Sequence, residues 1–388
     1  MLKKKILILS ILMITMFAGC SPKPEELYSV KLVHSGDLEF PLDNYSSLFS
    51  TCIKMFIEDG DEHLYVLNAI TNSINIYNLK DTTSLEVLTF EESGPEGTGK
   101  IDGFDVHSRD SIFLISSSSY KASIVSMREK DTVITTIKLI DKNQDINYTA
   151  YSDYQSSIFK YKNDIYIHST PFSDPLKTKP FQVGNSMLKV NLKTSEISNL
   201  NTFSEAYDGL WPSGFFKRYS SLPTDANRVI FSFPIDNNIQ VYDLTSKESI
   251  NHKASSVHFD EIKEYDLSLY KDNTENFKKH YINEGHYGQI FYDKFRNVYY
   301  RFAYIPDYVG IQNNDPRVET KIPSVIILNE SFEKIGEQKL EKYEFLPIMS
   351  FVGKEGLYIN QPRILDRETW EIQEDVFRFV LFKLDYEK

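Results

Sequence analysis

A phosphate-binding spacing is the first chemical pattern in this sequence. Gly94, Gly99 and Lys100 match G-x-x-x-x-G-K, in which a glycine-rich loop and a lysine hold a nucleotide phosphate. That chemistry needs a helix after the lysine, because the amide groups and dipole of its first turn meet the phosphate. Here a strand-like segment follows, and Ile101 occupies the position of the magnesium-binding Ser or Thr. The segment therefore predicts a turn between strands.

A second pattern could bind calcium. Asp141, Asn143, Asp145 and Asn147 place oxygen ligands at alternate positions, as calcium loops do. The glycine of such loops is replaced by Ile146, and no Glu stands at the twelfth position. Because Asp and Asn also form ordinary turns, we expect no cofactor and keep calcium as the alternative.

Histidines and serines form no catalytic constellation. No two of the eight histidines have the spacing of zinc ligands. His286 lies in a predicted turn and is a candidate ligand or catalytic residue. The run from Ser116 to Ser119 lacks the Gly-x-Ser-x-Gly of a nucleophile elbow.

Cys20 is the candidate for covalent lipid attachment. Three lysines precede an apolar run from Ile6 to Phe17, which is too short to span a bilayer and fits a secretory signal peptide. The small residues before Cys20 resemble the bacterial lipobox, although Phe17 replaces the usual Leu. We expect a signal peptide over 1–19 and a lipidated cysteine with a tether over 20–27. The alternative is an ordinary signal peptide with a chance cysteine.

This pattern also predicts location. Several acyl chains on one cysteine anchor a protein firmly, so we expect membrane attachment through the lipid anchor only. Residue 21 is Ser rather than Asp, which resembles outer-membrane sorting. We expect an exported protein on the outer membrane, facing either the periplasm or the cell surface.

Composition limits the remaining classes. Besides Cys20 only Cys52 is present, so a lipidated chain forms no internal disulfide, and Cys52 is interpreted as a small core residue. Without residues 1–19 the chain keeps 40 basic and 55 acidic groups, a net charge of about −15 that argues against nucleic acid. The 25 Tyr and 26 Phe favour strands over helices.

One strand pattern recurs six times. Pairs of alternating apolar strands begin at residues 63, 111, 164, 228, 297 and 356. This period accommodates four short strands, which is one propeller blade. We predict an all-β, single-domain fold over 28–388, a six-bladed β-propeller of four-stranded antiparallel blades. A β-sandwich with appendages is the alternative.

The two ends of the domain should meet. The sixth repeat ends after three strands, and the stretch from Ser29 to Leu42 has no partner of its own. We expect this N-terminal strand to close the ring, which protects an open sheet edge. A charged segment with near-helical apolar spacing indicates an insertion at about 260–284.

Residues 92–114 carry a family resemblance. Glu92-Ser-Gly-Pro-Glu-Gly97, Ile101-Asp-Gly-Phe-Asp-Val106 and Asp110-Ser-Ile-Phe-Leu114 resemble six-bladed propellers of the NHL and TolB-like types. With the lipobox, the chain is similar to the propeller lipoproteins of Bacteroidota, domain-of-unknown-function family 4221. The resemblance implies fold and location, and no site residue can be carried over from it.

Aromatic and arginine side chains concentrate in the predicted turns of one face, which are those entering each blade and those joining its second and third strands. Such residues anchor protein interfaces, and aromatic platforms also hold sugars. Those interpreted as ligand-binding are Tyr207, Trp211, Phe215, Arg218, Tyr219, His286, Tyr287, Arg301, Tyr308 and Arg363.

The leading hypothesis is a monomeric cell-envelope lipoprotein whose loops bind an envelope protein or a glycan without catalysis. The alternative is a lyase or hydrolase acting on an extracellular carbohydrate or peptide. Its site would lie at the channel mouth, with His286, Arg218, Asp208 and Tyr219 as acid or base groups. A purely structural scaffold is the third possibility. Catalysis requires these groups to converge, whereas binding requires an accessible rim.

Overall fold

Within the residues that the computed structural model describes, the predicted alternation of apolar residues forms 27 strands. The structure describes residues 29–83, 85–127, 132–139, 148–171, 186–200, 203–209, 211, 216–224, 227–266, 274–313, 317, 320–366, 371–373 and 375–387. Cys20, the signal peptide and tether, Phe215 and the four candidate calcium ligands lie outside these residues.

Six antiparallel sheets form the blades of a six-bladed β-propeller, which confirms the predicted fold. Blades 1 and 2 contain β2 (Ile53–Glu58), β3 (Asp61–Asn68), β4 (Ser73–Asn78), β5 (Leu85–Thr89), β6 (Gly103–Ser108), β7 (Ser111–Ser116), β8 (Lys121–Ser126) and β9 (Thr132–Lys138). Blade 3 contains β10 (Tyr148–Tyr151), β11 (Phe159–Tyr161), β12 (Asp164–Pro171), β13 (Met187–Asn191) and β14 (Ile197–Leu200), with β10 and β11 sharing one edge of β12. Blades 4 and 5 contain β15 (Ser220–Pro223), β16 (Arg228–Ser232), β17 (Asn238–Asp243), β18 (Ser249–Lys253), β19 (His286–Asp293), β20 (Val298–Ile305), β21 (Ile322–Leu328) and β22 (Lys334–Lys339).

The sixth blade joins the two ends of the domain. It contains β23 (Leu346–Val352), β24 (Leu357–Asn360), β27 (Val376–Tyr386) and β1 (Val30–Pro41), and a small hairpin of β25 (Ile364–Asp366) and β26 (Glu371–Ile372) joins its second and third strands. The N-terminal strand β1 pairs with β27 from Val30 opposite Tyr386 to Pro41 opposite Val376. The ring is therefore closed by the N-terminal strand, as predicted.

Apolar side chains fill the spaces between neighbouring blades. Middle strands are buried on both sides, as in β21, where all seven residues are buried. Cys52 is also a core residue: it is buried beside Tyr65 and Phe104, and this burial raises the pKa of its thiol to about 12. The fold rests on these inter-blade clusters.

Two α-helices lie in the long connections of blade 5. Helix α1 (Thr274–Asn283) lies in the predicted insertion, and α2 (Tyr308–Gln312) lies between β20 and β21. Within the residues that the structure describes, no helix combines the length and apolar character needed to cross a bilayer.

The two faces of the ring differ in what they carry. The connections that enter the blades and those that join second to third strands share one face, here called the loop face. The other connections form the terminal face. Because β1 is an outer strand that runs toward the connection entering blade 1, its first residue lies on the terminal face, where the Ser29 carbonyl accepts a hydrogen bond from the Glu387 amide at 2.8 Å. The chain therefore enters the propeller on the side away from the loop face.

Candidate functional site

Arg301 lies in the seam between blades 4 and 5. Its guanidinium is fully buried and stacks on the Tyr287 ring at 3.7 Å. It donates hydrogen bonds to the Ser232 hydroxyl at 2.9 Å and to several backbone carbonyls, including those of Ala254 at 2.9 Å and Asp236 at 2.7 Å. Burial lowers the pKa of Arg301 to about 10. Through its hydrogen bonds the side chain holds the loops of blade 4 together.

Three predicted aromatic residues fill the connection that enters blade 4. Tyr207, Trp211 and Tyr219 are all buried. The Tyr207 hydroxyl donates to the Phe216 carbonyl at 2.7 Å, and the Tyr219 hydroxyl donates to the Ser186 carbonyl. The Trp211 indole donates to the Ala206 carbonyl at 3.1 Å, so these rings pack the connection itself.

His286 belongs to a buried cluster under α1. Its ring stacks on Tyr304 with centroids 4.7 Å apart, and its Nδ1 lies 2.8 Å from the Lys321 Nζ. Lys321 also donates to the Glu284 carbonyl at 2.6 Å and lies over the Tyr281 ring. Burial lowers the pKa of both His286 and Lys321 well below their ordinary values. The cluster is enclosed rather than open to a substrate.

The remaining catalytic candidates have other surroundings. Arg218 is about half exposed and lies 3.5 Å from the buried Asp153 carboxylate. Asp208 ends a short 3-10 helix that begins at Glu205. Tyr219 packs on His168, with ring centroids 4.6 Å apart. The contacts of Arg218 and Tyr219 are therefore with different neighbours, Asp153 and His168.

Tyr308 and Arg363 are accessible. Tyr308 is 56% exposed at the start of α2. Arg363 pairs with Glu39 and borders a polar cavity of about 310 Å³ beside blade 6, which Arg378 and Glu344 also line. In the part of the chain that the structure describes, no group of three or more His, Cys, Asp or Glu is arranged to hold a metal ion.

Large apolar side chains are exposed on the loop face, and apart from Tyr308 they lie at positions that the sequence did not single out. Tyr45, Phe49 and Ile70 come from the connections of blade 1, and Tyr45 and Ile70 are both about two-thirds exposed. The Asn68 side chain joins two of them, because it donates to the Tyr45 carbonyl at 2.9 Å and accepts from the Ile70 amide at 3.1 Å. The other exposed members on this face are Val257, Tyr308, Val309 and Leu365.

The domain of unknown function DUF4221 matches residues 29–339 of this chain. The chain belongs to this family. A crystal structure of a DUF4221 member from Bacteroides vulgatus ATCC 8482 is 23% identical and superposes with a TM-score of 0.77, over 93% of this chain and 100% of that chain. A protein from Bacteroides fragilis NCTC 9343, described as exported, is 12% identical with a TM-score of 0.56, over 92% of this chain and 97% of that chain. No curated protein sequence matches significantly.

These similarities establish the fold of this DUF4221 propeller and leave its site to be argued from its own residues. Sequence reasoning missed Lys321, whose lone position in a loop gave no signal, and it missed the exposed group of blade 1. Tyr45 and Phe49 were findable as apolar residues in a short segment rich in Asp, Asn and Ser.

Proposed function

We propose that this DUF4221 propeller is an exported, lipid-anchored protein of the outer membrane that binds a protein partner through its loop face. The observation that carries the proposal is the distribution of exposed apolar side chains. Seven of those on the described residues lie on loop-face connections, whereas the others lie on outer strands or toward the terminal face. Exposed apolar groups that cluster on one face of a soluble domain mark interaction surfaces.

The chemistry of these side chains favours a protein over a glycan. Ile70, Val309 and Leu365 are aliphatic and offer no hydrogen bonds to sugar hydroxyls. Aliphatic residues mixed with Tyr and Phe are typical of protein interfaces, in which a few anchors supply most of the binding energy. A catalytic role has less support, because His286 and Tyr219 are buried and already engaged.

The position of Ser29, where the described chain begins, supports a loop face that points away from the membrane. If Cys20 carries the lipid, the residues up to Ser29 span at most about 30 Å. Since Ser29 lies on the terminal face, the tether would hold that face toward the membrane. The loop face would then point away from the lipid, where a partner can reach it.

Lipid attachment is tested by metabolic labelling with an alkyne analogue of palmitate. The Cys20→Ser variant should lose both the label and its place in the membrane fraction. Cys52→Ala is the matched control and should keep both, because its thiol is buried in the core. Equal labelling of wild type and Cys20→Ser would remove the anchor from the proposal.

Partner binding is tested by placing a photo-reactive amino acid at single positions in cells. Positions 49, 70 and 365 should each give the same discrete adduct with one protein. Positions 134 and 250, which are exposed on outer strands, serve as controls and should give none. Adducts from the outer strands alone, or no adduct from the loop face, would contradict the proposal.

A further inference from the structure

The central channel of the propeller contains a cavity of about 360 Å³ that the proposed function does not use. The innermost strands of blades 1, 4, 5 and 6 line it, together with residues 154, 155 and 157. Its volume lies at the lower end of the range for pockets that bind small molecules.

A segment of blade 3 closes the channel on the loop-face side. Residues 152–158 leave the sheet between β10 and β11 and cross toward the other blades. The Tyr154 amide donates to the Thr51 carbonyl at 2.9 Å, and the Ser221 amide donates to the Gln155 carbonyl at 3.1 Å. These bonds fix the segment to blades 1 and 4, at the loop-face ends of their innermost strands.

Apolar side chains form the half of the channel nearer the terminal face. Ile57, Leu222, Phe291 and Val352 contribute to its walls. Phe295 follows β19 at the terminal face and is 43% exposed. At this end the cavity is lined by these apolar side chains and by Lys294.

The inner end of the channel carries polar atoms that need partners. The Gln155 Oε1 and the Ser350 Oγ are buried, and neither has a hydrogen-bond partner among the described residues. Burying a polar group without a partner costs about 1–3 kcal/mol, so such atoms usually mark a missing water or ligand. Nearby, the Lys54 ammonium lies 3.3 Å from the Asp105 carboxylate and the Arg218 guanidinium lies 3.5 Å from the Asp153 carboxylate, so these charged groups are paired.

We propose that the channel binds a small uncharged molecule with an apolar body and a hydroxyl or amide end. The hydroxyl or amide would donate to the Gln155 Oε1 and bond with the Ser350 hydroxyl, while the body lies against Leu222, Phe291 and Val352. A charged end is disfavoured, because Lys54 and Asp105 already neutralise each other and a third buried charge would have no partner.

The test compares benzyl alcohol with toluene, which has the same ring and no hydroxyl, and with benzoate, which carries a charge. Binding to the purified full-length protein is measured by saturation-transfer NMR and titration. Benzyl alcohol should bind about 25-fold more tightly than toluene, as two hydrogen bonds imply, and benzoate should bind most weakly. Absence of transfer to benzyl alcohol, or equal affinities for the three probes, would overturn the proposal.

Two kinds of variant locate the site. Ser350→Ala should reduce the preference for benzyl alcohol over toluene to about five-fold, because the Gln155 Oε1 remains, whereas Ser331→Ala, on an exposed turn of the terminal face, should retain it in full. Leu222→Trp should fill the cavity and abolish binding of both probes, and Val352→Phe is the second filling variant if the first does not fold. A Ser350→Ala protein with unchanged preference, or a folded filling variant with unchanged binding, would contradict this site.

Discussion

Two parts of the loop face differ in whether their large apolar side chains are buried or exposed. In the connection that enters blade 4, Tyr207, Trp211 and Tyr219 are buried. In the blade 6 and 1 connections, Tyr45 and Leu365 are more than half exposed. Both parts consist of loops on the same face, so position in a loop does not decide whether a ring is available.

Length separates the connection that enters blade 4 from the one that enters blade 1. The segment between Leu200 and Ser220 is long enough to bury its own rings, and the Trp211 indole donates to the Ala206 carbonyl within it. The segment between Pro41 and Ile53 is much shorter and buries only part of its apolar surface, chiefly Leu48. A short loop has no second layer to cover its side chains, and those that remain exposed are available to a partner.

The largest expected loss of stability comes from substitution of Arg301. Arg301→Met leaves several buried carbonyls unpaired and should lower the free energy of unfolding by about 3–5 kcal/mol. Urea denaturation measures the loss. Arg363→Met, in which a half-exposed ion pair with Glu39 is removed, should cost less than about 1 kcal/mol. Similar losses in both variants would contradict the conclusion that Arg301 supports the fold whereas Arg363 does not.

A smaller effect is expected from pH at His168, which packs on Tyr151 and Tyr219. Burial lowers the pKa of His168 to about 3, whereas an unfolded imidazole has a pKa near 6.5. Between these values the unfolded chain binds a proton that the folded chain excludes, so the stability from this group is complete above pH 6.5 and falls as pH decreases. From pH 6.5 to pH 5, wild type should lose about 2 kcal/mol more than His168→Gln.

Urea unfolding at several pH values measures this difference. Between pH 7 and pH 8 the two proteins should keep a constant difference, because imidazole is neutral in both the folded and the unfolded state. Parallel curves down to pH 5 would show that His168 is reached by protons without unfolding.

Removal of one buried hydroxyl should have a more modest effect. Tyr219→Phe loses the hydrogen bond to the Ser186 carbonyl and should reduce the unfolding free energy by about 1–2 kcal/mol. Tyr308→Phe is the matched control, since its exposed hydroxyl donates to the Asn283 carbonyl at 3.3 Å, and its change should stay below about 0.5 kcal/mol. Denaturant midpoints compare the two variants. A larger loss of stability in Tyr308→Phe than in Tyr219→Phe would show that Tyr308 supports the fold.

The smallest effect on stability is expected at the exposed group of blade 1. Phe49→Ser and Ile70→Thr should change the unfolding free energy by no more than about 0.5 kcal/mol. Ile230→Thr, at a fully buried position, should cost about 2 kcal/mol or more in the same measurement. A large loss at Ile70 would mean that this surface supports the fold.

The fold was predictable because its signals are local. Alternation of period two and turns at each strand end identified the six repeats, and the unpaired strand before Leu42 identified the closure. The site was less predictable, because burial depends on contacts between distant segments. Arg301 bonds to carbonyls more than 45 residues away, as at Ala254, and Lys54 meets Asp105 and the segment around Asp153. Such contacts leave no periodic trace in the sequence.

The central claim is that the exposed loop-face group of blades 6 and 1 contacts a partner in the cell envelope. Hydroxyl-radical footprinting of the protein in intact envelopes and after purification tests it most directly. We predict that Tyr45, Phe49, Ile70 and Leu365 are protected in the envelope and labelled after purification, while Ile134 and Ile250 are labelled equally in both. Equal labelling of the loop-face group in both preparations, or protection of the outer strands instead, would contradict the account.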